Sequence, residues 1–195
     1  MAPVLRTPRL VLRPHRMSDV EAWLRIERDS SIQANLHWPE RDRRQMITHL
    51  RDRTRKTVLR QAGDFLALAV ELDGEVIGDV SMHLRTVAPE SRSAEVGWLQ
   101  LSRYRGQGFA TEAAEALLTF AFRTLGTRWV TALVDANNER SMALAVRLGF
   151  ARVAQTGCTV TFLATGAPTT VNGSETTANG TDSTVLSTIR EERCL

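Results

Sequence analysis

The chain has 195 residues, of which 43% are hydrophobic and 24% charged, a composition typical of one soluble domain with a substantial core. A net charge of +3 is too small to argue for nucleic-acid binding, and no apolar run approaches the length of a membrane span. Because the N-terminus also lacks the apolar block of a signal peptide, we expect a cytoplasmic protein whose two cysteines, Cys158 and Cys194, are reduced thiols and form no metal cluster.

The first third of the chain predicts a strand followed by two helices. Residues 7–14 alternate between apolar and polar side chains, as a half-buried strand does. The motif Ser18-x-x-Glu21 is a capping box, which predicts that a helix over about 18–28 begins there. A second helical stretch runs to about Arg60. Its many arginines are typical of a solvated helix face, with an anionic partner as the sharper alternative.

The middle of the chain predicts three strands and a long helix. Phe65–Leu72 is strand-like, and Asp73-Gly74 is a strong signal for a hairpin turn into a returning strand over Val76–Leu84. A further strand over residues 94–101 is joined by a loop to a helical run. That helix begins near Phe109 and reaches Leu125.

The loop from Arg103 to Gly108 has the features of a phosphate-binding turn. Its two glycines, Gly106 and Gly108, allow positive φ and carry no Cβ, so the backbone can curl around a ligand with its N–H groups converging at a helix N-terminus. Arg103 and Arg105 add positive charge, and Thr111 offers a hydroxyl. No Lys follows, which excludes a Walker A loop, and Thr111 replaces the third glycine of a dinucleotide fingerprint. A plain strand-to-helix turn is the alternative.

A second segment with functional features follows that helix. Trp129–Val134 reads as a buried strand, and Asn138-x-x-Ser141 opens a short helix that ends at Gly149, before Phe150. The alternative interpretation is an ordinary helix with an N-cap and a C-cap, since Asn, Ser and Gly favour those positions.

Three motifs resemble the GNAT N-acetyltransferase superfamily. They are the Arg-x-x-Gly-x-Gly loop, Asn138-x-x-Ser141 with Leu148-Gly149-Phe150 downstream, and the opening Thr7-Pro8-Arg9-Leu10-Val11-Leu12-Arg13-Pro14, which is similar to the RimJ/RimL-like branch. The resemblance covers about residues 5–155. It implies one domain over residues 1–195, of mixed α/β class, with a mostly antiparallel central sheet. The sheet would have about six to seven strands, splayed between the fourth and fifth, and about four flanking helices.

The resemblance also implies acetyl-CoA as the acetyl donor, without a metal. Backbone N–H groups near Leu99 and Leu101, freed where strands 94–101 and 129–134 separate, are expected to bind the pantetheine arm and polarise the acetyl carbonyl. Asn138 would hold the same arm or order a water. The remaining expected cofactor-binding residues surround the diphosphate: Arg103, Arg105, Gly106, Gln107, Gly108, Phe109, Ala110 and Thr111.

Glu95 is the candidate general base, because many members of the superfamily place there a carboxylate that takes the amine proton through water. Two alternatives are open. Glu95 could be only the partner of an arginine such as Arg92 or Arg103, or His83 on the adjacent strand could be the base.

Ser141 is the candidate acid that protonates the departing thiolate, directly or through a water. The position that carries an acidic tyrosine in many members is Ala145 here. The only tyrosine, Tyr104, lies in the loop. Catalysis would then depend largely on proximity and orientation.

The C-terminal part is atypical of the branch. Residues 156–184 are dominated by Thr, Asn, Gly and Ser, and we expect an unusual hairpin region. Its expected parts are a strand from Cys158 to Leu163, a flexible loop from Ala167 to Asp182, and a closing strand from Thr184 to Ile189. A Trp that the branch carries before its last strand is missing, so this region does not identify the acceptor.

We therefore expect an acetyl-CoA-dependent N-acetyltransferase that acts on a primary amine, with a protein N-terminal α-amine as one candidate acceptor. An antibiotic, a polyamine or an amino acid is an alternative acceptor. An acyl-CoA-binding module with little catalysis is the alternative from another class. Contact of Arg41–Arg60 with RNA or with the 3′-phosphate of coenzyme A is a further option, and the oligomeric state is left open.

Overall fold

The computed structural model describes residues 3–36 and 38–166, which form one sheet with helices on both faces. The sheet has eight strands in the order β1-β2-β3-β4-β5-β6-β8-β7. Neighbouring strands are antiparallel except β5 and β6, which are parallel. The strands are β1 (Leu5–Arg6), β2 (Val11–Pro14), β3 (Phe65–Leu72), β4 (Glu75–Thr86), β5 (Ser93–Gln100), β6 (Trp129–Asp135), β7 (Ala151–Thr156) and β8 (Thr159–Thr165).

Five α-helices connect these strands within the described residues. They are α1 (Val20–Glu27), α2 (Ser30–Leu36), α3 (Arg43–Arg55), α4 (Phe109–Thr119) and α5 (Glu139–Arg147). A π-helical segment, Phe120–Thr124, continues α4. None of these helices combines the length and the apolar character that crossing a bilayer requires.

The helices divide between the two faces of the sheet because strand side chains alternate in direction. Leu66, Leu68 and Val70 of β3 pack in the larger core, which includes α4 and Phe150, the residue before β7. Ala69 points to the opposite face and packs with α1, α2 and α3, where Trp23 is almost fully buried. The groove described below opens between these two layers.

The predicted fold class is confirmed: the domain is mixed α/β with a mostly antiparallel sheet. The fourth and fifth predicted strands are β5 and β6, and they do separate. Their last paired residues are Val96 and Ala132, although both strands continue beyond that pair. The predicted counts were too low, since there are eight strands and five α-helices in the described part.

The predicted hairpin turn at Asp73-Gly74 is also confirmed. Leu72 pairs with Glu75, and Asp73 and Gly74 both have positive φ, at 47° and 83°. Two consecutive residues with positive φ are what a tight type I′ connection requires.

Two helix boundaries differ from the predictions. The chain enters α1 through a 3-10 turn, in which the carboxylate of Asp19 accepts the Arg16 N–H at 2.8 Å, so the predicted Ser18–Glu21 capping box is wrong. The second predicted helix ends at Arg55 rather than Arg60, because the chain then forms a bridge between Thr57 and Leu66 of β3.

Helix α2 and strand β7 were not predicted. The strand predicted from Cys158 to Leu163 is β8, Thr159–Thr165. The loop predicted from Ala167 to Asp182, the closing strand from Thr184 to Ile189 and the thiol of Cys194 lie outside the described residues. One domain over the whole chain therefore stays a prediction.

Candidate active site

A groove opens where β5 and β6 part. Beyond the pair Val96–Ala132 the backbone groups on that edge of β5 have no strand partner, because β6 diverges from β5 while it stays paired with β8 on its other edge. The groove has a volume of about 1080 Å³. A strand edge with unpaired N–H groups beside an open groove can bind the amide-rich arm of an extended ligand.

Four segments form the walls of the groove. Helix α2 lies on one side and the start of α5 on the other, with the end of β5 and the following loop between them. The lining residues used below are Ser31 and Asn35 of α2, Trp98, Leu99 and Gln100 of β5, Arg105, Gly106, Gly108, Ala110 and Thr111 of the loop and α4, and Asn138, Arg140, Ser141 and Arg147 at α5.

The loop has the backbone that its glycines predicted. Gly106 and Gly108 both have positive φ, at 76° and 80°, and a Cβ on Gly106 would meet no atom within 4 Å. Helix α4 begins at Phe109, directly after Gly108. The first N–H groups of a helix have no intrahelical partner, and the helix dipole makes this end attractive to phosphate.

The predicted site residues divide into two groups. Eight line the groove: Leu99, Arg105, Gly106, Gly108, Ala110, Thr111, Asn138 and Ser141. The other five, Glu95, Leu101, Arg103, Gln107 and Phe109, make different contacts, as described next.

Leu101 does not have a free backbone donor. Its N–H donates to the Ile77 carbonyl at 2.9 Å, which corrects the expectation that this group faces the groove. In an antiparallel ladder the backbone N–H and C=O groups of successive residues point alternately toward the partner strand and away from it, so every second residue of β5 directs these groups to β4. The intervening residues, Trp98 and Gln100, therefore direct theirs toward the gap left by β6.

Arg103, Gln107 and Phe109 support the loop. The Arg103 guanidinium pairs with Glu75 in the β3–β4 hairpin, and the Tyr104 hydroxyl donates to the same carboxylate at 2.6 Å. Phe109 is buried in the larger core. The Gln107 carbonyl accepts a hydrogen bond from Arg9 at 3.0 Å, a contact that sequence reasoning did not find.

Asn138 and Ser141 are brought together with Trp98. The Asn138 side-chain oxygen accepts the Ser141 N–H at 3.1 Å and so caps α5, as Asn does at many helix N-termini. The Trp98 indole N–H lies 3.4 Å from the Ser141 Oγ and donates to it. A serine oxygen that accepts one hydrogen bond keeps its own proton to donate elsewhere.

Glu95 lies on β5 just before the strands part, opposite His83 of β4. It pairs with Arg85 at 2.6 Å, so Glu95 does have an arginine partner, as the alternative interpretation expected, although that partner is neither Arg92 nor Arg103. The His83 ring stacks on Phe65 with 4.2 Å between centroids. Burial and the nearby charge of Arg85 lower the pKa of His83, so its ring is neutral at pH 7.

Three arginines give the groove its charge. Arg105 extends from the loop, and Arg140 and Arg147 are two turns apart on one face of α5. Among the described residues no carboxylate lies within 4 Å of any of these three, whereas Arg41, Arg43 and Arg53 of the predicted basic stretch pair with Glu27, Glu21 and Asp79. The positive charge of the groove therefore comes from the loop and α5.

Asp29 joins α2 to the start of the loop. One carboxylate oxygen accepts the Ser31 hydroxyl at 2.6 Å, and the other accepts the Ser102 N–H at 2.9 Å. Burial alone would raise the pKa of Asp29, but the hydrogen bonds from Ser31 and Ser102 outweigh it and lower the pKa to about 2.

The Asp29→Asn variant is expected to be less stable by about 1 kcal/mol at neutral pH, after allowing for solvent screening at this half-exposed position. Because the folded-state pKa is lowered, the carboxylate stabilises the fold above its ordinary pKa of 3.8, and the difference shrinks as the pH falls toward 2. Urea unfolding at pH 7 and pH 3 measures this. The exposed Asp52→Asn variant serves as the control, and an equal loss in both variants would contradict the prediction.

No group of three side chains suited to hold a metal ion is present in residues 3–36 and 38–166. The groove instead offers backbone donors, arginines and hydroxyls. These groups fit an anionic ligand with an extended amide-containing arm.

An α/β sheet that parts between two parallel strands, with a glycine loop at the opening, indicates a transferase whose donor is an extended anionic ligand. Residues 9–151 match the family model described as "Acetyltransferase (GNAT) domain". The chain therefore belongs to the GNAT acetyltransferase family.

One curated relative is the "Putative ribosomal N-acetyltransferase YdaF" of Bacillus subtilis, 31% identical over 105 residues. That match spans about half of each protein, 51% of this chain and 56% of the relative. Two solved structures share the fold. RimL, described as a ribosomal L7/L12 alpha-N-protein acetyltransferase in complex with coenzyme A, has a TM-score of 0.70 at 20% identity, over 84% of this chain and 98% of that one. RimJ of Mycobacterium smegmatis with a CoA-disulfide has a TM-score of 0.66 at 24% identity, over 84% and 86% of the chains.

Proposed function

We propose that the protein is an acetyl-CoA-dependent N-acetyltransferase whose acceptor is a protein N-terminal α-amine. The observation that carries the proposal is the groove between β5 and β6, because it joins the glycine loop, an unpaired strand edge and a serine hydroxyl in one continuous space. The names of YdaF and RimL support the acceptor class.

The donor would bind along the groove with its diphosphate at the loop. The backbone around Gly106 and Gly108 and the N-terminus of α4 offer N–H groups there, and Arg105 adds a mobile charge. Acetyl-CoA supplies the activated acyl group as a thioester. Its amide-containing arm would pair with the free edge of β5.

Backbone N–H groups at Trp98 or Gln100 would polarise the acetyl carbonyl. They replace Leu99 and Leu101 in this role, since alternation in the ladder turns the N–H groups of the odd-numbered residues toward β4. A fixed N–H donor aimed at an oxygen that gains charge stabilises the transition state without reorganisation.

Glu95 would accept the amine proton, directly or through a water, and Ser141 would return a proton to the thiolate. Glu95 lies next to the point where β5 and β6 separate, within one residue of the last strand pair. The Ser141 hydroxyl lines the groove, and because the Trp98 N–H already donates to its oxygen, its own proton is available.

Thiol release from acetyl-CoA against a panel of amines tests the proposal. Peptides with free N-termini should react faster than the same peptides with blocked N-termini, and lysine side chains should not substitute. Turnover with polyamines or amino acids only would favour a small-molecule acceptor. Tight acetyl-CoA binding without turnover of any amine would leave a binding module, and absence of binding would reject the family role of the groove.

The Arg140→Ala/Arg147→Ala double variant is expected to weaken CoA binding about tenfold at low salt, because both arginines line the groove without a carboxylate partner among the described residues. The double variant should lose less affinity for dephospho-CoA, which lacks the 3′-phosphate. Calorimetry measures both ligands. The Arg44→Ala/Arg51→Ala variant changes the net charge equally on the exposed face of α3 and should bind CoA normally; equal losses would indicate only a general attraction.

A further inference from the structure

The N-terminal segment contacts the glycine loop although about a hundred residues separate the two in sequence. Thr7-Pro8-Arg9-Leu10 forms a tight turn between β1 and β2, in which Thr7 N–H donates to the Leu10 carbonyl at 3.0 Å and Leu10 N–H donates to the Thr7 hydroxyl at 2.8 Å. This turn places Arg9 beside the start of α4.

Glu112 of α4 holds the turn in place. Its Oε1 accepts the Thr7 hydroxyl at 2.6 Å and the Arg9 N–H at 2.9 Å, and its Oε2 accepts the Arg9 Nε–H at 2.7 Å. The Arg9 guanidinium also lies over the Phe109 ring, 4.4 Å from its centroid. A planar group held by a carboxylate at its edge and by an aromatic ring at its face has little rotational freedom left.

The Arg9 Nη2 also pairs with the Glu112 Oε2 at 2.6 Å, and a third nitrogen of the guanidinium reaches the loop itself. Its Nη1–H donates to the Gln107 carbonyl at 3.0 Å, and Arg9 lies so close that a Cβ on Gly108 would be 3.4 Å from its Nη2. The Gln107–Gly108 peptide is trans, like every other peptide in the described residues. In a trans peptide the C=O and the following N–H point in opposite directions.

The Gly108 N–H must therefore point away from Arg9. Gly108 lines the groove, so this direction is open to a ligand. Glycine tolerates both signs of φ, and the peptide before Gly108 could otherwise rotate and turn the Gln107 carbonyl to the groove. A carbonyl oxygen there would repel a phosphate where an N–H would bind it.

We propose that Arg9, held by Glu112, is a positioning residue that fixes the Gln107–Gly108 peptide so that the Gly108 N–H is directed to the diphosphate of the acyl donor. The inference rests on the proposed function, since it takes the donor to be a CoA thioester. It assigns a role in donor binding to the N-terminal turn, which touches the outside of the loop only.

Steady-state kinetics of the Arg9→Gln variant with two donors tests the inference. The KM for acetyl-CoA should rise about tenfold with kcat unchanged, the effect expected for losing one charge-assisted orienting contact. S-Acetylpantetheine lacks the diphosphate, so its kcat/KM should stay within about twofold of wild type. A merely structural role would lower the rate with both donors alike.

Two further variants test the same contact. The Glu112→Gln variant should also have a higher KM for acetyl-CoA, because it releases the Arg9 Nε–H. The Arg9→Lys variant should have a KM for acetyl-CoA between those of wild type and Arg9→Gln, because an ammonium cannot reach Glu112 and Gln107 together. Arg6→Gln removes an exposed arginine from β1 and is the control. Thermal unfolding of each variant establishes that it is folded.

The outcomes separate this inference from the proposed function. A wild type that neither binds nor uses acetyl-CoA overturns the proposed function and the inference with it. A wild type that uses acetyl-CoA, together with an Arg9→Gln variant of unchanged KM or of equally reduced rates with both donors, overturns the inference alone.

Discussion

Replacing Glu95 with glutamine is expected to lower kcat about hundredfold at pH 7 and to leave the KM for acetyl-CoA within about twofold. Glu95 is outside the lining of the groove but next to the parting of β5 and β6. Its loss should therefore affect proton removal from the amine and leave the diphosphate contacts intact. The rate of the variant should keep rising with pH, because solvent then deprotonates the amine.

Two controls distinguish a base from a structural carboxylate. If Glu95 only pairs with Arg85, then Arg85→Gln should reduce the rate and the stability as much as Glu95→Gln does. If His83 is the base, which its lowered pKa would permit, then His83→Asn should carry the large loss instead. A Glu95→Gln rate close to wild type at pH 7 would contradict the assignment, and pH–rate profiles of the three variants measure it.

The parts of the site that depend on local chemistry could be predicted from the sequence. Gly106 and Gly108 were predicted to allow positive φ, and both adopt it, a region that residues with a Cβ enter only at a cost. Asn138 and Ser141 were predicted to lie at a helix start, and the Asn138 side chain caps α5. In each case the relevant interaction spans only a few residues.

The parts of the site that depend on pairing between distant residues could not be predicted from the sequence. The bulge between Leu84 and Thr86 in β4 makes Arg85 an extra residue opposite β5, and the sequence gives no sign of that bulge. Glu95 pairs with Arg85, which lies two residues beyond its opposite residue His83 in β4, and not with Arg92 or Arg103. Helix α2 was missed for a similar reason: its start depends on Asp29, which also bonds to Ser102 across the groove.

Edge position explains why β7 was missed. Its residues are mostly exposed, and Arg152 and Gln155 interrupt any apolar alternation. The strand forms because it pairs with β8, so the residues of β8, and not its own side chains, determine that it is a strand. The arginines of α5 could have been found, since residues seven apart share a helix face, but only if the groove had been known to lie there.

The Gly78→Ala variant is expected to lose about 3 kcal/mol of unfolding free energy, the largest stability effect predicted for a single methyl group in this chain. Gly78 follows the bulge at Ile77 in β4, and an added Cβ would lie 2.4 Å from the Leu99 carbonyl oxygen and 3.3 Å from the Gln100 Cα. Both contacts are with backbone, which cannot rotate away. The melting temperature should fall roughly 6 to 12 °C.

The clash in Gly78→Ala should also distort the donor site, because Leu99 and Gln100 line the groove at the free edge of β5. Pushing that edge outward displaces the backbone donors, so the KM for acetyl-CoA should rise in Gly78→Ala even at temperatures where the variant is folded. Gly97→Ala is the matched control: its Cβ would meet only the Ser81 hydroxyl, at 3.1 Å, and a hydroxyl can rotate. Urea unfolding that found equal, small losses in the two variants would show that β4 and β5 can move apart at little cost, and that the position of the β5 edge is not set by Gly78.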